Sequence, residues 1–153
     1  MAQQEFVIHR VTTFSSGVAQ AIRNLAQQEG KNYKDLSDGE VKEMIESPLH
    51  FLYLARDTKS NAFVGMVLLM VFRIPYVRKG YIDDLVVDEK FRNKGLGTQL
   101  MQRAVDTARE KGAAYIDFTS RPRRDASNNL YEKLGFEKRE TNVYRLICDY
   151  GEI

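Results

Sequence analysis

The sequence contains little cysteine or proline and no tryptophan, and its charges nearly balance. Among 153 residues there are one cysteine and three prolines, and 23 basic residues stand against 21 acidic ones. The single cysteine, Cys148, excludes an intramolecular disulfide and a zinc site built from several cysteines, which fits a reducing cytoplasm. A formal net charge of +2 is too small to indicate a nucleic-acid partner.

Long apolar runs are also missing. The first ten residues hold no apolar core long enough for a signal peptide, and the apolar stretch 62–72 is too short to span a bilayer. The two histidines, His9 and His50, lie too far apart in sequence to suggest a metal pair. We therefore expect a cytoplasmic protein with no membrane partner and no metal, folded as a single domain over residues 1–153. In a terminal apolar stretch, Cys148 is expected to be buried.

Apolar periodicity predicts an α/β protein with a mixed sheet. Ser37 followed by Glu40 is a capping-box pattern that marks the start of the second helix. The predicted strands are 5–11, 51–56, 62–74, 81–87, 114–119, 136–138 and 143–148, the last two forming a hairpin, and the predicted helices lie near 16–29, 37–47, 96–110 and 125–134.

The loop at residues 92–97, between a strand and a helix, has the chemistry of a phosphate cradle. Gly95 and Gly97 let an anion approach because no Cβ stands in the way. The positive end of the following helix favours negative charge, and Arg92 and Lys94 add two cations.

Two common phosphate loops do not fit this stretch. A dinucleotide fingerprint requires a third glycine where this chain has Leu100, and a Walker loop requires a lysine after its glycine, whereas Lys94 precedes Gly95. A general ATP- or NAD-binding protein is thus disfavoured.

The loop instead resembles the R/Q-x-x-G-x-G/A signature of the GCN5-related N-acetyltransferase (GNAT) superfamily, with Arg92, Gly95 and Gly97 at its three positions. Residues 126–136 are similar to the late LYEKLGF motif of the same family, and the resemblance spans roughly residues 62–148. It implies the GNAT fold: a mixed, mostly antiparallel twisted sheet of about seven strands, four flanking helices, and splayed parallel strands at the cofactor site.

The resemblance also implies a reaction and a set of contacts. An acetyl group passes from acetyl-CoA to a primary amine by direct attack in a ternary complex, and the backbone around Val86 and Val87 stabilises the tetrahedral intermediate. The residues implied in binding the cosubstrate are Leu85, Val86, Val87, Arg92, Asn93, Lys94, Gly95, Leu96, Gly97, Thr98, Thr119, Asn128 and Tyr131.

Amine attack needs a base, because a free alkylamine has a pKa of about 10.4 and must lose a proton. Asp83 and Asp84 are the candidates beside a water chain, and on a regular strand they face opposite sides. We favour Asp83, which holds the position where many family members carry a glutamate. The alternative is that either carboxylate only pairs with a nearby Arg78 or Lys79.

Tyr131 is the candidate acid for the departing thiolate, since its hydroxyl and a thiol have reference pKa values of about 10 and about 8.5. Tyr131 and Leu134 lie three apart on an amphipathic helix, so the alternative is that Tyr131 is a packing residue, but the motif around it favours the functional role. The basic group Arg121, Arg123 and Arg124 fits either the 3′-phosphate of the cofactor or a solvated face.

The acceptor is less defined. The sequence at 82–85 resembles the acidic strand of family members that acetylate polyamines and similar small amines. Acidic residues there would suit a small cationic amine. A protein or peptide amine, and a non-catalytic acyl-CoA-binding regulatory domain, remain open. The oligomeric state is open from the sequence. A homodimer is one possibility, since homodimers are common in the superfamily and strand edges near the C-terminus could pair two copies.

Overall fold

A computed structural model of the protein describes residues 5–30 and 36–148. These residues form two compact units, one up to Phe118 and one from Thr119. The first unit contains β1 (Phe6–Val11), α1 (Ser16–Gln27), α2 (Asp38–Glu46), β2 (His50–Asp57), β3 (Phe63–Arg73), β4 (Arg78–Val87), a 3-10 turn (Glu89–Phe91), α3 (Leu96–Glu110) and β5 (Tyr115–Asp117). The second contains α4 (Asp125–Lys133). A single domain over 1–153 stays a prediction.

The sheet runs in the order β1-β2-β3-β4-β5. The first four strands are antiparallel neighbours, and β5 pairs parallel to β4. The predicted α/β fold with a mixed, mostly antiparallel sheet and four helices is therefore confirmed. The described residues form five strands rather than about seven.

One face of the sheet is covered by α1 and α2. Their apolar stripes and the inward residues of the strands make one buried cluster, which comprises Val11, Val18, Ala19, Ile22, Leu25, Ala26, Val41, Ile45, Leu52, Leu54, Met66 and Val86. Burial of this apolar surface is what holds the two helices on the sheet.

The opposite face is covered by α3. Gly65 lies next to Met66 in β3 and so faces away from the α1 and α2 layer. A Cβ on Gly65 would come 3.0 Å from Leu100 Cδ1, so the missing side chain there lets α3 lie close to β3. A Cβ on Gly80 would come 3.6 Å from Ala108 Cβ on the same face, an ordinary contact, but 3.0 Å from Ile116 Cγ1, so the missing side chain there makes room for β5.

A buried hydrogen-bond chain fixes α3 against β2. The hydroxyl groups of Tyr53 and Thr107 are 2.5 Å apart, and the Thr107 hydroxyl donates to the Arg103 carbonyl at 2.9 Å. Because Thr107 has one proton to give, Tyr53 is the donor to Thr107. Both buried hydroxyls are thereby satisfied.

Both N-terminal helices begin at serine caps. Ser15 accepts from the Val18 N–H at 3.2 Å. Ser37 and Glu40 form the predicted capping box, in which the Glu40 carboxylate accepts from the N–H and hydroxyl of Ser37 at 2.8 and 2.7 Å. These two hydrogen bonds lower the pKa of Glu40.

His9 on β1 lies half-buried beside Phe63, with 5.9 Å between ring centroids. The guanidinium of Arg56 lies over the same Phe63 ring, 4.6 Å from its centroid. Burial, and then the charge of Arg56, lower the pKa of His9. The imidazole is therefore kept neutral by the fold over part of the range in which a free histidine is charged.

The predicted C-terminal hairpin is wrong. Residues 136–148 form no strand, the side chains of Val143, Tyr144 and Leu146 are exposed, and Cys148 is exposed rather than buried. An isolated hairpin is marginal without a sheet to join or a layer to cover, so alternating apolar residues alone do not make one. The strand edges that could have paired two copies are thus absent from residues 136–148.

No helix in the described residues is both long and apolar enough to cross a bilayer.

Candidate active site

A β-bulge interrupts β4 just before its end. Between Asp83 and Val86, two residues of β4 oppose the single residue Val67 of β3. Asp84, the first of the two, has a φ of 50°. Aspartate is among the few residues with a side chain that adopt this region readily, because its short carboxylate can hydrogen-bond locally.

The bulge changes which face each β4 side chain occupies. Ile82 shares the α3 face with Gly80, whereas Val86, four residues after Ile82, belongs to the cluster under α1 and α2. Asp83 pairs with Leu68 and so lies on the α1 and α2 side, where it is exposed. The expected strict alternation of Asp83 and Asp84 fails because Asp84 sits in the bulge.

The parallel pairing of β4 with β5 is short. It joins residues 79–81 to 115–117, and β4 then continues to Val87 with no strand on its outer edge in the described part of the chain. Ligands of such sheets bind beyond the carboxyl ends of parallel strands. The outer edge of β4 beyond Tyr81, which has no paired strand among the described residues, therefore contains the bulge and ends directly before the glycine loop.

Lys79 pairs with a carboxylate on the neighbouring strand. Its Nζ lies 2.9 Å from the Asp117 carboxylate on β5 and 5.7 Å from the Tyr115 ring centroid. This ion pair joins the two parallel strands at the point where they meet. The alternative that Lys79 forms its ion pair with Asp83 is thus wrong.

The glycine loop ends in a helix start that suits an anion. Asn93 and Gly95 have φ values of 61° and 77°, and Gly95 is the N-cap of α3 without a side-chain cap. The N–H groups of Leu96, Gly97 and Thr98 have no acceptor within the helix, because an α-helical bond reaches back four residues. The first turn carries no acidic residue, so the positive helix end is not offset there.

Both loop cations contact protein groups. Arg92 Nε donates to the Val87 carbonyl at 3.2 Å, and Arg92 Nη2 lies 3.9 Å from Glu29 Oε1. Lys94 Nζ lies 2.9 Å from Glu5 Oε1. The Arg92 and Lys94 side chains are 48% and 42% exposed, so an incoming anion can reach them by displacing weak surface ion pairs.

A contact that the sequence does not signal joins α1 to the loop. Gln28 Nε2 donates to Asp88 Oδ2 at 3.0 Å, and the Glu89 N–H donates to Gln28 Oε1 at 3.0 Å. These partners are 60 and 61 positions apart, so no local pattern could predict the contact.

The second unit holds the other candidate residues. Asn128 Nδ2 donates to the carbonyls of Arg121 and Pro122, both at 3.3 Å. The Tyr131 and Phe136 rings meet edge to face with centroids 6.4 Å apart. Thr119 is exposed. The roles of Asn128, Tyr131 and Thr119 toward a cofactor stay predictions.

In the part of the chain described, no group of three or more His, Cys, Asp or Glu side chains could hold a metal ion.

The sequence model of the acetyltransferase (GNAT) family matches residues 19–136. The chain belongs to the GNAT acetyltransferase family. It is accordingly an acyltransferase, and its family uses acetyl-CoA as the donor for N-acetylation.

Relatives of known name are acetyltransferases with different acceptors. The chain is 31% identical over 109 residues to N-alpha-acetyltransferase 30 of Schizosaccharomyces pombe, covering 67% of this chain and 71% of that one. It is 26% identical over 132 residues to aminoalkylphosphonate N-acetyltransferase of Salmonella typhimurium, covering 85% and 83%. It covers only 26% and 24% of its relatives from Methanocaldococcus jannaschii and Xenopus laevis.

The fold matches that of a solved structure, glucosamine-6-phosphate N-acetyltransferase from Arabidopsis thaliana. The TM-score is 0.78 at 18% identity, over 94% of this chain and 99% of that one. At this identity the likeness shows the fold alone, and it confirms the predicted GNAT fold.

Proposed function

We propose that this acetyltransferase moves the acetyl group of acetyl-CoA to the primary amine of a small cationic acceptor, by direct attack in a ternary complex. The observation that carries the choice of acceptor is Asp83. Its carboxylate is exposed on the α1 and α2 side of β4, at the bulge that precedes the glycine loop. A carboxylate there attracts a cation and can accept its proton.

The pyrophosphate of the cosubstrate binds at residues 92–97 in this proposal. Support comes from the uncapped start of α3, the open space around Gly95, and the exposed side chains of Arg92 and Lys94. The N–H groups of Leu96, Gly97 and Thr98 donate to phosphate oxygens, with Asn93 completing the loop. In the same proposal Leu85, Val86 and Val87 bind the acyl and pantetheine arm, and Thr119 and Asn128 are further candidate contacts to the cosubstrate.

The transfer then needs three groups. Asp83 takes the ammonium proton, directly or through water, and the neutral nitrogen attacks the thioester carbon. A backbone N–H of Val86 or Val87 donates to the resulting oxyanion. The nitrogen gives its second proton to water as the C–S bond breaks, which leaves the neutral amide. The thiolate takes a proton from the Tyr131 hydroxyl, which regains one from solvent.

A panel of acceptors tests the choice of substrate. Thiol release from acetyl-CoA is measured with diamines and polyamines, an aminoalkylphosphonate, glucosamine 6-phosphate, and peptides with free N-termini or lysines. We expect the highest kcat/KM with a diamine or polyamine. Preference for the peptides, which the likeness to N-alpha-acetyltransferase 30 makes the second candidate, would overturn the small-amine proposal.

The same panel separates an enzyme from a non-catalytic acyl-CoA-binding domain. The latter predicts stabilisation by CoA with background thiol release for every acceptor.

Tyr131→Phe tests the acid. It removes the hydroxyl and keeps the ring that packs on Phe136. We expect kcat to fall by about 10²-fold, the lower end for a general acid, with CoA affinity within about twofold of wild type. An unchanged kcat would remove Tyr131 from the mechanism.

A further inference from the structure

Asp88 is the last residue held by the sheet, because its N–H donates to the Val64 carbonyl of β3 at 2.8 Å. The segment at residues 89–95 then connects β4 to α3 outside the sheet. It consists of the 3-10 turn followed by residues 92–95, of which Asn93 and Gly95 have positive φ. At its far end Lys94 contacts Glu5, and at its near end the segment meets the Gln28 side chain. The position of the α3 start therefore depends on how this segment is held from outside.

We propose that Gln28 is a positioning residue for the cofactor loop, acting through Asp88 and Glu89. The proposal rests on the proposed function in one respect, that residues 92–97 bind the CoA pyrophosphate. Gln28 does not touch that loop itself. It holds the start of the 3-10 turn that leads into it.

The chemistry of the contact requires an amide. Asp88 offers a carboxylate oxygen, which accepts, and the Glu89 backbone offers an N–H, which donates. A glutamine side chain supplies the matching donor and acceptor together. Asp88 Oδ1 is already used by the Lys90 N–H at 2.9 Å, so Oδ2 is left for Gln28.

Only a few residues separate Asp88 and Glu89 from the proposed phosphate-binding groups, so a shift of these two residues also moves those groups. The Phe91 N–H donates to the Asp88 carbonyl at 2.8 Å, which closes the turn, and Arg92 Nε donates back to the Val87 carbonyl. The chain then reaches the α3 N-cap at Gly95. Releasing Gln28 from Asp88 and Glu89 therefore loosens the frame that aims Arg92 and the first-turn N–H groups.

The test uses Gln28→Ala, Gln28→Glu, Asp88→Asn and the double variant Gln28→Glu with Asp88→Asn. Gln28→Glu keeps the acceptor for Glu89 but places a carboxylate against Asp88. The double variant reverses the pair, because the asparagine amide introduced at position 88 donates to the new carboxylate, and it keeps the net charge of the wild type. Gln27→Ala removes an exposed amide one position earlier and is the matched control.

CoA affinity is measured by calorimetry, and kcat/KM is measured with acetyl-CoA and with acetyl-pantetheine, which lacks the pyrophosphate. We expect Gln28→Ala and Gln28→Glu to weaken CoA binding about fivefold, with kcat/KM for acetyl-pantetheine within about twofold of wild type. The double variant should recover most of the CoA affinity, and Gln27→Ala should match wild type.

Three results would overturn the inference: wild-type CoA affinity in both single Gln28 variants, an equal loss with acetyl-pantetheine, or no recovery in the double variant. If the wild-type protein itself does not bind CoA, the proposed function fails together with the inference. If the wild type binds CoA and one of the three results above is found, only the inference about Gln28 fails. Thermal unfolding of each variant confirms that it is folded.

Discussion

Asp83 and Asp84 are neighbours in the chain but have different backbone environments. Asp83 lies in regular strand geometry with an exposed side chain, and its Oδ1 accepts from the Asp84 N–H at 2.9 Å. Asp84 is the bulge residue with positive φ. The two carboxylates are therefore not equivalent candidates for a base, although their sequence context is the same.

Replacing Asp83 with asparagine should lower kcat by about 10²-fold, because the amide keeps the size of the side chain but cannot take a proton. CoA affinity should not change. The measurement is steady-state kinetics with the best acceptor, and Asp106→Asn, an exposed aspartate on α3, is the control. A larger loss in Asp84→Asn than in Asp83→Asn would move the base to Asp84.

His9 should make the stability of the protein depend on pH near neutrality. Its folded pKa is lowered by burial and by Arg56, so the unfolded chain binds its proton more readily. The free energy of unfolding is then highest above pH about 6.5, the unfolded value, and falls as the pH drops through the folded pKa.

Urea unfolding at several pH values between about 8 and about 5 measures this effect, and His9→Phe keeps a ring against Phe63 while removing the titration. The free energy of unfolding of the variant should fall less steeply than that of the wild type as the pH is lowered. Asp57 does not interfere, because hydrogen bonds from Ser60 lower its pKa and its loss of stability occurs below pH about 4. Identical slopes in the two proteins would contradict the prediction.

At the scale of an element, the position of α3 depends on the missing side chain of Gly65. A Cβ there would meet Leu100 Cδ1 at 3.0 Å, Leu96 Cδ2 at 3.2 Å and the Val86 carbonyl at 3.3 Å. Leu96 is the first residue of α3, so this contact lies under the proposed phosphate site.

Gly65→Ala should therefore lower the free energy of unfolding by about 1–3 kcal/mol through overpacking and should also weaken CoA binding. Gly39→Ala is the contrasting change. Its Cβ would meet only Ser37 Oγ at 3.9 Å within α2, and it should be neutral or stabilise by up to about 1 kcal/mol. Urea unfolding of both variants is the measurement, and equal effects would show that α3 can move without strain.

The elements themselves were largely predictable, because their signals are local. The Ser37 and Glu40 box and the stripe of α1 gave helices within a residue or two of their observed bounds. The bulge at Asp84 was not predictable, since it depends on how β4 pairs with β3. The prediction of a strand at 143–148 failed for a similar reason. Alternating apolar and polar residues show that a segment can form a strand, but it does so only where another strand pairs with it.

At the scale of the whole molecule, ligand binding should raise the free energy of unfolding. If CoA binds only the folded chain, CoA at about 100 times its Kd should raise the free energy of unfolding by about 2.7 kcal/mol. Thermal unfolding with CoA, ATP and NAD measures this, and we expect a shift with CoA that ATP and NAD do not match. Equal shifts with all three would favour a general nucleotide site.

The family was predictable from two motifs, and the α/β class with a mixed sheet was predictable from the sequence of elements. The strand-loop-helix form of the candidate site was predictable for the same reason. The contact of Gln28 with Asp88 was not, because it joins parts of the chain that only the completed fold brings together. Arg92 and Lys94 were recognised as cations, but their partners Glu29 and Glu5 have no motif.

The bulge in β4 also reverses the face of the sheet on which even-numbered residues lie. Up to Asp83, even-numbered residues such as Ile82 belong to the α3 layer, and after the bulge an even-numbered residue, Val86, belongs to the α1 and α2 layer. If residue 84 kept regular strand alternation instead of bulging, Val86, four residues after Ile82, would point at α3, and the core under α1 and α2 would lose a buried side chain. The bulge is thus what returns Val86 to the α1 and α2 layer at the end of the strand, directly before the glycine loop.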